Sequence, residues 1–454
     1  MTKLYFLNIL NLGQKKSNPF EAIDRKMVGD SAISSELDDN LFYLCDDIGT
    51  RFQGTPGYRA AAEYVKKKLK EYKCDTTELE PFEYNSWKRG EQARLTMSAP
   101  LEKEYPCYAL PNSASTGERT LSAEVICIGT GSQAEINLVA KQLKGRMAMT
   151  TNSVGSRADI YARCIEKGAV AFLFSNAHHG MMVQTGSVAG DEGGSIPAVG
   201  IGLESALQIE RILKRGKVKL NLNSYCHFEK DTSWNVYGEI KGKEFPDEII
   251  LMGGHLDSHD VSPGGTDNAS GMVVTMEAAR LLAKHKKHLK RTVRFIGFAC
   301  EEVGLIGSHY HAEKHAKLMK KARFMLNSDC PAPGFPKALK FHRCPKAKDY
   351  VDYLSEQMQI EIGYQDIFHG SSDHFPFLCK GVATAGMGAG KFSTAIDTYY
   401  HMSADTPEKV SLDGLRASGA FAARVLLRAA NDEHWPNMRK SPAEVKKLVD
   451  SLKH

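Results

Sequence analysis

From residue 249 onward, short apolar runs alternate with helical patterns, and the runs end at residues able to bind a cation or carry a proton. Residues 249–254 read as a buried strand ending at His255, 292–299 as a strand ending at Glu301, and 324–326 as a strand ending at Asp329. Between them, 271–283 and 306–320 carry apolar residues at helical spacing. This alternation predicts the α/β class. In open α/β sheets the loops past the carboxyl ends of the strands converge on one crevice, so residues far apart in sequence are expected to meet there.

At 454 residues the chain is long enough for at least two domains, at about 150 residues each. A hydrophobic share of 42% and a charged share of 25% describe an ordinary globular protein and exclude fibrous and disordered classes. Net charge is only +5, and the densest basic run, KHKKHLKR at 284–291, reads as a solvated helix end, so no nucleic-acid partner is expected. Ten widely spaced cysteines include no Cys-x-x-Cys, which argues against a zinc ribbon or thioredoxin motif, and several, such as Cys127 in EVICIG and Cys300 in FIGFAC, read as buried reduced thiols. The N-terminal MTKLYFLNILNLG is broken by Asn8 and Asn11 and lacks a small-residue cleavage site, so it makes a poor signal peptide. No run approaches the roughly 20 apolar residues of a spanning helix, so no membrane association is expected. The expected location is cytoplasmic, with secretion through a divergent signal as the alternative.

Residues 54–72 place Ala61, Val65, Leu69 and Tyr72 on one face of a helix that starts near Pro56. From Ala99 the texture turns β-rich, with AEVICIGTG, GRMAMTT, GAVAFLFSN and IPAVGIG. The expected division is therefore 1–98, a smaller inserted domain over 99–225, and the main catalytic part over 226–454. WNVYGEIKG resumes an edge-like hairpin pattern, and SPAEVKKLVDSLKH reads as a surface helix.

The chemistry concentrates in GGHLDSHDVSPGGTDNASG, residues 253–271, which sets His255 twelve residues before Asp267 in a glycine-rich turn. With Glu302, Asp329 in LNSDC and His401 in YYHMSADT, these provide the imidazoles and carboxylates that two neighbouring divalent cations need, Asp267 serving as the bridge. Asp257 is placed to accept the second ring proton of an imidazole ligand. Glu301 remains for general base and then general acid work on a hydrolytic water. Taken singly, other histidines read blandly: His309, His311 and His315 as an exposed helix face, His178 and His179 as a polar loop, and His259 as structural support.

In order along the chain, GTRFQGTPGYRAAAEYV, HLDSHD, GGTDNASG, CEEVGLIGS, NSD, SSDHFPF and YYHMSADT resemble the M28 family of co-catalytic zinc metallopeptidases. The intervening block resembles the protease-associated domain often inserted in that family. The related M20 peptidases set their bridging aspartate much further from His-x-Asp. The resemblance implies a mixed, mostly parallel sheet with helices on both faces, two zinc ions with cobalt or manganese as substitutes, and peptide substrates. It implies His255 and Asp329 on one ion, Glu302 and His401 on the other, Asp267 bridging, and Glu301 as acid/base. Asp373 and His374 match a family element beside the active site. His369 and Tyr400 are the candidates for stabilising the transition state. The leading expectation is an aminopeptidase; a carboxypeptidase or dipeptidase of the same family is the near alternative. A one-zinc glutaminyl-cyclase-like acyltransferase and a non-catalytic binding scaffold stand further off. A homodimer is compatible with the sequence, and the inserted domain is expected to gate the crevice.

Overall fold

In this computed structural model, described for residues 18–153, 155–331, 337–389 and 399–452, two eight-stranded sheets carry the chain. The N-terminal run over residues 1–13 lies outside the described residues.

The larger sheet runs in the order Thr76–Arg89, Cys226–Ile240, Arg291–Phe298, Phe245–His255, Ala322–Asn327, Ala383–Ala389, Lys337–His342 and Ile362–Ile367. The central strands, from Arg291–Phe298 through Phe245–His255 and Ala322–Asn327 to Ala383–Ala389, are parallel neighbours, and antiparallel pairings flank them. Alternation along Phe245–His255 explains the layering. Ile250 and Met252 enter the core on one face with Val273 and Leu281, whereas Ile249 and Leu251 pack on the other with Phe298 and Phe377. A strand buried on both faces reads as a continuous apolar run, which is what residues 249–252 are.

On the first face lies the helix Ser270–Ala283, every residue of which is buried. It is sandwiched between the sheet and the helix Leu412–Asn431, so it needs no polar side. Its charged pair, Glu277 and Arg280, is satisfied internally by two 2.8 Å hydrogen bonds. The helix Pro56–Glu71, with Thr55 accepting from the Tyr58 amide at its start, buries Ala61, Val65 and Leu69 against Cys226–Ile240.

The expected edge hairpin at WNVYGEIKG is corrected. Cys226–Ile240 is an interior strand, because the 14-residue strand Thr76–Arg89 covers its outer side along its length. The expected helix over 306–320 is also interrupted: Ile306–Lys314 and Ala316–Met319 are separated by His315, whose φ of −99° and ψ of 25° leave the helical region. Nor do the histidines there share an exposed face. His309 is exposed, but His311 is fully buried and His315 half-buried, both drawn inward by Glu80. Glu80 accepts from His311 Nδ1 and His315 Nε2 at 2.8 Å each and from Asn235 Nδ2 at 3.0 Å. Arg294 sits 3.0 Å from His311 Nε2. Burial alone would raise the Glu80 carboxyl, but the bonds from His311 and His315 hold it far below the usual carboxylate range. Burial pushes His311 down to about 4.

The smaller sheet draws its strands from residues 94–223, in the order Lys103–Tyr105, Arg94–Ala99, Lys219–Asn223, Leu121–Cys127, Met147–Met149, Ala171–Phe174, Ala198–Ile201 and Cys107–Ala109. It has a core of its own around Ile136, Ile160 and Phe172. Its first strand begins a few residues before the boundary expected at 99. The chain leaves the larger sheet at Arg89 and re-enters at Cys226, and these two residues face each other in the ladder. The insertion therefore hangs from adjacent ends of one strand pair.

Two glycines bring the site's segments together. A Cβ on Gly254 would lie 2.2 Å from the Ser328 carbonyl oxygen, and one on Gly271 only 2.0 Å from the same atom. Backbone cannot yield cheaply there. Gly271→Ala is expected to cost about 1–3 kcal/mol in urea unfolding, whereas Gly216→Ala, with nothing within 4 Å of the added carbon, should stay within about 0.5 kcal/mol. Glu80→Gln should cost about 3 kcal/mol at pH 7, the scale of breaking a buried charged network. Glu80 is depressed when folded, so its contribution is complete above its unfolded pKa of about 4.3. The gap between variant and wild type should therefore narrow as pH falls below that value, read from unfolding curves at pH 7 and pH 3.

Candidate metal centre

Three neighbouring strand ends deliver the central residues. His255 closes Phe245–His255, Glu301 and Glu302 follow Arg291–Phe298, and Asp329 follows Ala322–Asn327. Asp267 enters from the turn before Ser270–Ala283, where Gly264 takes a φ of +59°, a conformation with no steric penalty for glycine. His401 comes from the segment after Ala383–Ala389.

The five expected ligand residues converge. His255 Nε2 lies 3.1 Å from Asp267 Oδ1 and 3.6 Å from Asp329 Oδ1. His401 Nε2 lies 3.2 Å from Asp267 Oδ2 and 3.0 Å from Glu302 Oε2. The two oxygens of Asp267 thus face two different imidazoles. Metal bonds of about 2.0–2.1 Å at tetrahedral angles set ligand atoms roughly 3.3 Å apart, and the observed spacings bracket that value.

Electrostatics test whether cations fit. Burial opposes charge on both imidazoles, yet Glu301, Asp257, Asp267 and Asp329 raise His255 well above its ordinary value, and Glu302 and Asp267 raise His401 to about 9. The cleft therefore calls for positive charge. Burial also works against ionised Asp267 and Glu302, but the imidazoles bring Asp267 down to about 2, and His259 with His401 holds Glu302 well below the glutamate range. Glu302 Oε1 is buried with no hydrogen-bond partner, a costly condition that a cation would relieve. The donor set fits a pair of divalent ions.

Glu301 behaves differently from its neighbour. Burial lifts its carboxyl well above the ordinary value; His255 opposes the rise, and Asp329, Asp373 and Glu302 reinforce it. A carboxylate biased toward protonation, at the wall of the cleft, is suited to taking up a proton and giving it back.

The role expected of Asp257 divides in two. Its backbone oxygen, 3.1 Å from His255 Nδ1, is closer to that ring than its carboxylate oxygen at 3.6 Å. The carboxylate instead accepts from the amides of Glu301 at 3.2 Å and Glu302 at 3.1 Å, fixing the acid pair. His369 and Tyr400 both line the same cleft, a cavity of about 820 Å³. Burial keeps His369 below its ordinary value and Tyr400 above its own. Asp373 is fully buried, with both oxygens unpartnered, and burial lifts it to about 7. His374 stacks on His342 at 3.6 Å and 9°; parallel rings so placed cannot aim both lone pairs at one cation.

Several residues that sequence reasoning passed over complete the site. Asn268 donates to the carbonyls of His255 at 3.2 Å and Ser328 at 3.0 Å, and accepts from the amides of Gly271 and Cys330 at 3.0 Å each. Asp405 accepts from the amides of Thr266 at 2.8 Å and Asp267 at 3.0 Å, tying the bridging turn to the His401 segment. Ser372 donates to Asp329 Oδ2. Asn268, Asp405 and Ser372 all stood within quoted motifs, so their positions were visible though their roles were not. Arg157 carried no such signal. It comes from the inserted domain, lines the cleft and lies 3.4 Å from His401 Nδ1.

An α/β sheet bearing a shared carboxylate between two imidazole-carboxylate pockets at its strand ends defines the class of metal-dependent hydrolases that use paired ions. The chain matches the model of Peptidase family M28 over residues 235–426. It is 28% identical over 412 residues to Aminopeptidase YwaD of Bacillus subtilis (strain 168), covering 89% of this chain and 86% of that one. It is 27% identical over 339 residues to Carboxypeptidase Q of Xenopus laevis, covering 71% and 70%. In fold it is similar to the Peptidase M28 precursor from Shewanella amazonensis SB2B, with a TM-score of 0.80 at 23% identity over 92% of this chain and 98% of that one. The zinc aminopeptidase BSAP from Bacillus subtilis aligns with a TM-score of 0.71 at 22% identity, over 89% and 97%.

Proposed function

We propose that this protein is a two-zinc exopeptidase that releases N-terminal residues from peptides. The observation that carries the reading is Asp267, whose two oxygens lie 3.1 and 3.2 Å from the Nε2 atoms of His255 and His401. His255 and Asp329 would hold one ion, Glu302 and His401 the other, and Asp267 both. When bound, zinc ions acidify water and polarise a carbonyl oxygen. Glu301 takes the proton from the attacking water, stores it in a site that favours the protonated carboxyl, and delivers it to the amine nitrogen that leaves. Asp257 holds Glu301 and Glu302 in register through their amides, so one faces the proton path and the other the ion. The relation to an aminopeptidase over most of both chains supports the N-terminal direction.

One observation favours a second reading. Arg157 and Lys340 line the cleft alongside Glu301, and a guanidinium is a natural anchor for a substrate carboxylate. That arrangement fits a carboxypeptidase or dipeptidase, the activity named for the relative from Xenopus laevis.

Among the described residues, no helix is long and apolar enough to cross a membrane. All ten cysteines are free, which supports the cytoplasmic reading, since disulfides accumulate in oxidising compartments. Arg157 and Ser187 bring the inserted domain to the cleft wall, which supports a role for it in limiting access.

Glu301→Gln should keep both ions by elemental analysis yet lose about 10²–10⁴-fold in kcat on aminoacyl substrates; near-normal turnover would exclude the assigned role. On a peptide panel, N-acetylation should abolish cleavage while C-terminal amidation is tolerated, and Arg157→Gln should barely alter kcat/KM for amidated peptides. The opposite preference, with a loss of about 10–100-fold in Arg157→Gln as expected for a missing charged hydrogen bond, would establish the carboxypeptidase reading.

A further inference from the structure

His259 was expected to be structural support, close enough to the pocket to line it. It follows Asp257 by two residues and is only 1% exposed. Its ring lies over Phe52, with centroids 5.9 Å apart at 30°, and meets His401 edge-on at 4.4 Å and 76°. Nε2 stands 2.9 Å from Glu302 Oε2. Despite that proximity, neither ring nitrogen of His259 has a partner in hydrogen-bond geometry.

A buried imidazole with both nitrogens unsatisfied costs about 1–3 kcal/mol for each missing bond. The share of that cost borne by Nε2 is removed if the short contact is an edge of a coordination polyhedron. With bonds of about 2.0–2.1 Å, a 2.9 Å separation corresponds to an angle of roughly 90° at the ion, as in a five-coordinate site. His259, Glu302 and His401 each offer a ligand atom within 4.8 Å of the others.

We propose that His259 is a direct ligand of the ion held by Glu302, His401 and Asp267, which makes the two pockets chemically unequal. This rests on the two-ion reading above. One pocket then has two imidazoles, Glu302 and a share of Asp267; the other has one imidazole, Asp329 and the remaining share. Imidazole suits zinc, whereas carboxylate-rich sites accept harder ions such as manganese. The Glu302 pocket fills first with zinc, and the Asp329 pocket is the one open to exchange.

The test uses full-length apoprotein titrated with zinc, with X-ray absorption spectroscopy at one and two equivalents and affinities from competition with a chromophoric chelator. At one equivalent, wild type is expected to show two imidazoles on the zinc. His259→Phe, which keeps the contact with Phe52, and His259→Gln should each show one and bind the first equivalent at least about tenfold more weakly. A single imidazole at the first equivalent in wild type overturns the proposal, and this count needs no variant to fold. Unchanged affinity in both variants overturns it equally. Wild type that holds fewer than two ions would refute the two-ion reading itself, a separate failure.

Discussion

The cleft depends on a repulsion that the sheet enforces. Parallel strand ends bring Glu301, Glu302 and Asp329 beside Asp267, with Asp257, Asp373 and Asp405 behind them. Two like charges about 4 Å apart at an effective dielectric of roughly 20 repel by about 4 kcal/mol. The chain meets part of this with imidazoles and part by biasing Glu301 and Asp373 toward their protonated forms. What is left is a demand for cations, and the division of labour follows from it. Glu302 has imidazole partners that hold it toward the ionised form, while Glu301, one residue away, has acids as well as His255 around it and is held toward the protonated form.

Such a crowd persists only if backbone contacts hold it. Arg51, fully buried, donates to the carbonyls of Leu256, Pro263, Gly264, Leu44 and Gly49, pinning the loop between His255 and Asp267 from behind. Asn268 ties that loop to the Asp329 segment, and Asp405 ties it to the His401 segment. The candidate ligands are placed by groups that bond backbone, so their side chains are free to exchange a proton for an ion without loosening the frame.

How much of this was legible follows from the range of each signal. The strand ends at His255, Glu301 and Asp329 were readable because buried parallel strands leave continuous apolar runs, and the class of the fold came with them. Partners across the fold were not. Nothing local distinguishes His311, drawn inward by Glu80 from a strand more than two hundred residues earlier, from the exposed His309 two residues before it. WNVYGEIKG looked like an edge because its covering strand, Thr76–Arg89, lies on the far side of the insertion. His259 sat in full view within HLDSHD, but its meaning depends on Glu302 and His401, which only the assembled sheet brings beside it.

The attachment of the inserted domain bears on what kind of access it controls. Its two ends are paired at Arg89 and Cys226, and Arg89 is bonded to Asp260 in the loop that bears His259, at 2.8 Å through Nη2. Its far side is also held: the Thr185 amide donates to the His401 carbonyl at 2.8 Å, and Gln184 to the Tyr400 carbonyl at 3.3 Å. A lid that swings has one anchored end and one free end. This domain is fastened at both, and one fastening is the backbone of a proposed ligand, so displacing it would disturb the metal pocket. It is therefore built as a fixed part of the cleft wall, with Arg157 and Ser187 in its lining, and not as a hinged lid.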